Sequence, residues 1–280
     1  MVRRKACRGE LPVSLQEKIE ILVLLAVDRD EESRSSAFHT LESWPPEELQ
    51  QELSNPSTPV AVLEFVSYNL VPGRKELGDA LLRNPSLPGQ LREWIEDTAA
   101  LFAEAETSES SEALAPLQFA DEDGDSNPEE RPQKRETVLQ RIRRMSAVEK
   151  VKAALIGSQE ERMILVRDPN RLVARAVLQS PKLSDHEVEN FASMKDVSDE
   201  VLRRIALSRK FRKSYAVVRA LVNNPRTPID VGLPLLRRIN DPDLKWLVLN
   251  RNVADVVRNA AQRRINQKEE ANKLKLPGKH

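Results

Sequence analysis

The sequence predicts an all-α protein, an α-solenoid of short helix–turn–helix repeats in two blocks that are separated by a disordered acidic linker. Two observations predict the repeats. Apolar residues recur at helical spacing after turns that contain Asn-Pro or Ser-Pro, and equivalent residues recur every 28 or 29 positions. A third observation, the distribution of charge, separates the blocks. The 280 residues include only eight glycines, which argues against a Gly-rich phosphate-binding architecture and against an all-β domain.

Composition divides the chain into five predicted segments. No Lys or Arg occurs between Glu93 and Glu130, and more than a third of the chain from Glu104 to Glu130 is acidic. Too few apolar side chains are present there to offset the entropy of ordering the chain. The segments are a flexible basic N-terminus over 1–12, an N-terminal helical repeat block over 13–103, the acidic linker over 104–135, a basic helical repeat block over 136–268 and a flexible tail over 269–280.

The two halves of the chain carry opposite charge. Residues 1–130 hold 11 basic and 27 acidic side chains, a formal charge of −16, whereas residues 131–280 hold 33 basic and 17 acidic ones, a formal charge of +16. Such asymmetry favours binding to polyanions or self-association. It also suggests that the acidic linker contacts the basic block of the same chain, because tethering gives the linker a high effective concentration.

Four turns share a pattern that ends one helix and begins the next. Asn tolerates the left-handed conformation that ends a helix, and the Pro after it cannot continue the helix. Thr58 or Thr227 is predicted to cap the following helix, with Pro59 or Pro228 at its first position, and Ser184 to form a capping box with Glu187. The predicted turn residues are Asn55, Pro56, Thr58, Pro59, Asn84, Pro85, Pro181, Ser184, Asn224, Pro225, Thr227 and Pro228.

The helices behind these caps repeat one apolar face. Val188, Phe191 and Ala192 lie three, six and seven residues after Asp185, and three other copies repeat this spacing. In an α-solenoid each helix pair buries its apolar face only against its neighbours. A helical bundle with coincidental Asn-Pro turns is the alternative. Residues 28 positions apart mark the repeat in the C-terminal block: Asp168, Asp196, Asn224 and Asn252.

The turns and the short apolar helices after them resemble leucine-rich-repeat-variant and HEAT-like bacterial repeats. The resemblance is best over about 139–265, where the matching stretches are Ile164–Asn170, Tyr215–Pro225 and Arg251–Val253, and it is weaker over 50–96. It implies an all-helical solenoid. Because these bacterial repeat proteins have no assigned activity, the resemblance implies no reaction.

The sequence contains no constellation of residues that indicates catalysis, so we expect a protein that is not an enzyme and uses no metal or cofactor. Cys7 is the only cysteine, which excludes internal disulfides, Cys-based zinc sites and iron–sulfur clusters. His39, His186 and His280 do not share metal-ligand spacing. The chain has neither a Gly-x-Ser-x-Gly elbow nor a Gly-x-x-x-x-Gly-Lys loop.

The apolar runs are short. The longest, Ile21–Val27, has seven residues, far fewer than a membrane span needs. The first ten residues are basic but lack the apolar segment and cleavage site of a signal peptide. We therefore expect a cytoplasmic protein without membrane contact.

Basic residues of the C-terminal block form the candidate binding surface, because equivalent positions of stacked repeats line up. Such a stripe attracts phosphate backbones. A solvated helix face is the alternative interpretation of the same residues. The candidate residues are Arg167, Arg171, Arg175, Arg203, Arg204, Arg209, Lys210, Arg212, Lys213 and Arg219, and the basic pattern continues at Arg237, Arg238, Arg258, Arg263 and Arg264.

The predicted function is a non-catalytic protein-interaction scaffold built on these repeats, an inference that rests on analogy between folds. The alternative is sequence-independent nucleic-acid (polyanion) binding by the basic block, screened by the acidic linker. Aromatic residues make up only 4% of the chain, so few could stack on bases. We expect a protein partner first, and a nucleic acid or an acidic peptide second.

Overall fold

The structure is a computed structural model that describes residues 2–112 and 137–275. Within these ranges the regular secondary structure consists of 17 α-helices and two short 3₁₀ helices, without a strand. The predicted all-α class is therefore confirmed. Of the predicted linker, residues 104–112 belong to a helix and the others lie outside the described residues. The described part of the predicted tail is likewise helical as far as Lys275.

The helices are mostly short and are separated by turns of a few residues. In chain order they are α1 (Val2–Cys7), α2 (Leu15–Ala26), α3 (Glu31–Glu42), α4 (Pro46–Leu53), α5 (Val60–Asn69), α6 (Glu76–Arg83), α7 (Gly89–Glu112), α8 (Val138–Arg144), α9 (Ala147–Ile156), α10 (Gln159–Leu165), α11 (Arg171–Gln179), α12 (Asp185–Ser193), α13 (Asp199–Leu207), α14 (Tyr215–Asn223), α15 (Ile229–Leu235), α16 (Asp241–Leu249) and α17 (Asp255–Lys275). The 3₁₀ helices are η1 (Phe211–Lys213) and η2 (Leu236–Arg238).

The described residues fall into two compact units. The first comprises residues 2–112 and 146–156, and the second comprises 137–145 and 157–275. The sequence grouped 146–156 with the C-terminal block over 136–268, whereas in the structure α9 packs against α7. The apolar face of α9 has the same helical period as its neighbours in the sequence, so the pattern does not indicate which unit buries it.

The first unit has one continuous apolar core. Helix α2 packs against α3, α4 against α6, and α5 against both α6 and α7. Leu22, Leu41, Leu63 and Leu81 come from four of these helices and are fully buried. Each such Leu contributes about 1.5–3 kcal/mol to folding relative to an exposed position. This core lies in the block that apolar spacing predicted as helical over 13–103.

The N-terminus contains a helix that the sequence did not indicate. Helix α1 packs against α2 and α3, and Cys7 on α1 is only 4% exposed. Thr40 Oγ1 on α3 donates to the Cys7 carbonyl at 2.8 Å. The chain then turns at Gly9, whose φ is 69°, and a Cβ there would lie 2.5 Å from Trp44 Cζ3. Glycine is required at this turn for both reasons.

In the second unit, helices pack against the next helix but one. Contacts join α10 to α12, α11 to α13, α12 to α14, α13 to α15 and α15 to α17. Helices α11, α13 and α17 begin at Arg171, Asp199 and Asp255, which are spaced by whole multiples of the repeat period. Helix α15 begins at Ile229, slightly later than this spacing, because Pro228 occupies its N-cap position. The starts of α11, α13 and α17 therefore recur at the period that the sequence shows.

The Asn residues of the turns have a different role from the predicted one. Asn84 and Asn224 are extended, with φ/ψ of −73°/120° and −83°/121°, so the predicted left-handed conformation is wrong. The Pro that follows each Asn disfavours helical backbone and favours extended backbone. Asn84 Nδ2 donates to the carbonyls of Leu53 and Asn55, at 2.7 and 2.8 Å. These side chains join one turn to the preceding turn.

The helix after an Asn-Pro turn is not capped by Thr. Pro59 and Pro228 occupy the N-cap positions themselves, without a side-chain hydrogen bond to the helix. Thr58 Oγ1 instead donates backwards to the Glu52 carbonyl at 2.6 Å, and Thr227 Oγ1 is buried without a partner among the described residues. The predicted Thr caps are therefore wrong. The capping box of Ser184, in contrast, is confirmed.

Candidate interaction surfaces

At least half of the predicted basic residues are bound to carboxylates of the same unit. Arg167 Nε lies 2.8 Å from Asp196 Oδ2, and Arg171 Nε lies 3.5 Å from Glu200 Oε2. Arg167, Arg171, Arg203, Arg204 and Arg219 each have an acidic partner. Arg175 is half-buried on α11. These five arginines share four carboxylates of their own unit, because Glu200 pairs with both Arg171 and Arg204.

Four ion pairs form a series from one repeat to the next, and we call it the ion-pair ladder. Its members are Arg167–Asp196, Arg171–Glu200, Arg203–Asp230 and Arg226–Asp199, and the partners of each pair lie about one repeat period apart in the sequence. Arg203 binds Asp230 with both Nη atoms. The hydrogen bond from Arg203 lowers the pKa of Asp230, and the same bond raises the pKa of Arg203. Both groups are exposed, so solvent weakens the attraction.

One inter-repeat pair is buried. Arg162 on α10 and Glu187 on α12 have side chains only 5% and 4% exposed, and Arg162 Nε lies 2.9 Å from Glu187 Oε1. The other carboxylate oxygen accepts from the backbone N–H and the hydroxyl of Ser184. Burial opposes ionisation of Glu187, but the hydrogen bonds from Ser184 and Arg162 outweigh it and hold the pKa of Glu187 below its ordinary value. The capping box and the ion pair share one carboxylate.

The remaining predicted cations lie on the connection between α13 and α14. Arg209, Lys210 and Lys213 are exposed, and Arg212 is half-buried with a buried Nε that has no acceptor among the described residues. Lys210 Nζ lies 5.7 Å from the centre of the Phe211 ring, a distance at which an aromatic ring attracts an ammonium group. Within the described ranges, no carboxylate forms an ion pair with these four side chains.

The next connection along the unit repeats this feature. Arg237 and Arg238 on η2 are exposed and lie one repeat period after Arg209 and Lys210. Lys182, on the connection between α11 and α12, lies one repeat period before Lys210 and is also exposed. The sequence indicated Arg237 and Arg238 only as a continuation of the basic pattern, although the repeat period makes them equivalent to Arg209 and Lys210. We call Arg209, Lys210, Arg237 and Arg238 the connection cations.

An exposed apolar surface on α16 is the feature that sequence reasoning missed. The side chains of Trp246 and Leu249 are 54% and 79% exposed, whereas Leu244 and Leu247 of the same helix are buried. Both neighbouring cations, Lys245 and Arg251, are exposed. Because α16 is apolar at most positions, its helical period does not show which side chains face solvent. We call Lys245, Trp246, Leu249 and Arg251 the α16 patch.

The histidines are not gathered into a metal site in the part of the chain that the structure describes. His39 and His186 are exposed, and no group of three or more His, Cys, Asp or Glu side chains is arranged to hold a metal ion within that part. None of the described helices combines the length and the apolar character that crossing a membrane requires.

Comparison of the chain with protein-family models, with curated protein sequences and with solved structures finds no match. The predicted resemblance to leucine-rich-repeat-variant and HEAT-like proteins therefore stays a prediction.

Proposed function

We propose that the chain is a non-catalytic protein-interaction scaffold of stacked HEAT-like helical repeats that binds a partner protein through the α16 patch. The single observation that carries the proposal is the exposure of Trp246 and Leu249, three positions apart on one helix. Large apolar side chains that remain in solvent on a folded unit mark interaction surfaces when they occur together.

The packing of the second unit supports the stacked-repeat part of the proposal. Alternate helices contact each other from α10 to α15, and α15 contacts α17, as expected when each helix pair buries its face against the next pair. Hydrogen bonds also recur at the repeat period. Asn250 Nδ2 donates to Asn223 Oδ1 at 3.3 Å, and Tyr215 on α14 donates to Asp243 on α16.

The composition of the α16 patch defines the chemistry of the partner. Trp is enriched among the residues that carry most of the binding energy at protein interfaces. Lys245 and Arg251 flank the two apolar side chains, and neither forms an ion pair with a carboxylate among the described residues. An apolar segment with Asp or Glu on either side complements this patch, because opposite charges at the rim steer association and select the partner.

The experiment is selection of random peptides displayed on phage against the full chain. We expect enriched peptides that combine two or more large apolar residues with Asp or Glu, and we then measure the affinity of synthetic copies by fluorescence anisotropy. Trp246→Ala is expected to weaken binding by at least about tenfold, since removing a central Trp costs about 2 kcal/mol or more.

The matched control is Leu207→Ala, which removes another exposed apolar side chain of the same unit, 60% exposed on α13. We expect it to leave the peptide affinity unchanged. Peptides that bind Trp246→Ala as tightly as the unaltered chain, or a selection without enrichment, would show that the α16 patch is not the binding surface.

A further inference from the structure

Acidic residues, which pair with the arginines of the ion-pair ladder, are absent from two connections of the second unit. No Asp or Glu occurs from Val201 to Ile229, a stretch with eight cations, and none occurs from Val231 to Asn240. The ladder takes its carboxylates from Asp196, Glu200 and other residues outside these stretches. Positive charge therefore accumulates at η1 and η2 rather than uniformly over the unit.

The two connections border the same helix. Helix η1 packs against α13 and α14, and η2 packs against α14 and α15. Arg264 on α17 adds to the same region, because its Nη2 donates to the Arg237 carbonyl at 2.9 Å. Because the cations of both connections recur at the repeat period, they form a row instead of a single cluster.

The apolar residues of these connections are not available to a partner. Phe211, Leu236 and Ile239 are 5%, 4% and 4% exposed, and the exposed Leu207 and Tyr215 belong to the adjoining helices α13 and α14. A peptide partner would need apolar anchors in the contact surface. A row of exposed Arg and Lys without such anchors instead fits the regularly spaced charges of a phosphate backbone, which such side chains bind without reading sequence.

We propose that the connection cations bind the phosphate backbone of nucleic acid independently of base sequence. The proposal concerns side chains other than those of the α16 patch, so it goes beyond the protein scaffold proposed above. Arginine presents a planar fork of donors that matches phosphate oxygens, and three of the four connection cations are Arg.

The test is fluorescence anisotropy of a labelled mixed-sequence DNA duplex with the full chain, between about 50 and about 200 mM salt. The variant Lys210→Gln/Arg237→Gln/Arg238→Gln is expected to weaken binding by at least about tenfold at low salt. It is also expected to make the negative slope of log affinity against log salt shallower by about 2 to 3, because each phosphate contact contributes about −0.9.

The matched control removes three other exposed cations of the second unit, in the variant Arg143→Gln/Lys195→Gln/Arg263→Gln. It makes the same change in net charge, and we expect its affinity to fall by less than about threefold. Equal losses in the two variants would overturn the proposal, because net charge alone would then account for binding. Absence of binding at about 50 mM salt would overturn it as well, and so would an affinity that does not fall between about 50 and about 200 mM salt.

A competitor distinguishes phosphate from carboxylate. Unlabelled duplex is expected to displace the probe at a concentration at least about tenfold lower than poly-glutamate of equal total charge. Equal competition by poly-glutamate would assign the row to acidic protein segments and overturn the assignment to nucleic acid.

Discussion

The Arg162 guanidinium and the Glu187 carboxylate form a buried ion pair between α10 and α12, with Arg162 Nη2 2.8 Å from Glu187 Oε1. Arg162 Nη1 also donates to the Gly157 carbonyl at 2.8 Å. A buried pair of this kind is tolerated only when its remaining donors and acceptors are hydrogen-bonded, a condition that Ser184 and Gly157 satisfy. The pair thereby joins α10 to α12 through side chains that are almost fully buried.

Arg162→Met is expected to lower the free energy of unfolding by about 3–5 kcal/mol, because Glu187 would remain buried without its counter-charge. Urea denaturation followed by circular dichroism measures the change. The control is Arg167→Met, which breaks a ladder pair whose side chains are 41% and 61% exposed and should cost less than about 1 kcal/mol. Similar losses for the two variants would contradict the role of burial.

The same pair predicts a loss of stability in acid. The pKa of Glu187 is lowered in the folded chain, so its contribution is complete above the ordinary Glu pKa of about 4.3 and disappears as the pH falls through the lower folded value. Urea midpoints measured from about pH 6 to about pH 3 should therefore fall more steeply in the unaltered chain than in Glu187→Gln. Parallel curves would show that Glu187 does not titrate below its ordinary range.

Asn224→Asp is expected to destabilise the second unit by about 2–4 kcal/mol, because two carbonyls lose their donor. Asn224 Nδ2 donates to the Ala192 and Met194 carbonyls, both at 2.7 Å, and a carboxylate would instead repel them. Asn252→Asp makes the same chemical change at an exposed position one repeat period later. Differential scanning calorimetry should show a lowered melting temperature for Asn224→Asp but not for Asn252→Asp. Equal decreases in the two variants would show that the hydrogen bonds from Asn224 to the preceding turn do not stabilise the unit.

A single pair of the ion-pair ladder is expected to contribute little. Arg203 and Asp230 have side chains 43% and 59% exposed, so breaking their pair with Arg203→Gln should cost about 1 kcal/mol or less. The double variant Arg203→Asp/Asp230→Arg should recover most of the stability that Arg203→Asp alone loses. If the double variant is no more stable than Arg203→Asp, the side chains at positions 203 and 230 do not interact in solution.

Most of the helices and the cap at Ser184 could be predicted from the sequence because these features depend on nearby residues. Ser184 and Glu187, three positions apart, form the predicted capping box. The role of Asn84 could not be predicted in the same way, because its two acceptors lie about one repeat earlier and are backbone carbonyls. The unit that α9 joins depends on packing, which no local pattern records.

The candidate surface could be predicted only as a set of cations. The sequence identified Arg171 and Arg203 but not their partners Glu200 and Asp230, which lie one repeat further along. The recurrence of opposite charges at about the repeat period is a signal that could have identified the ladder. The exposure of Trp246 could not have been predicted from the sequence, because apolar residues occur on both faces of α16.

The measurement that tests the central claim most directly compares the two groups of cations in thermal unfolding. We claim that ladder arginines join repeats, whereas connection cations make no intramolecular ion pair among the described residues. One variant changes Arg167, Arg171, Arg203 and Arg226 to Gln, and the other changes Arg209, Lys210, Arg237 and Arg238 to Gln. The ladder variant is expected to lose about 1–3 kcal/mol and to melt at a lower temperature, and the connection variant to melt at or above the temperature of the unaltered chain. Equal destabilisation by the two variants, or a larger loss in the connection variant, would contradict this division.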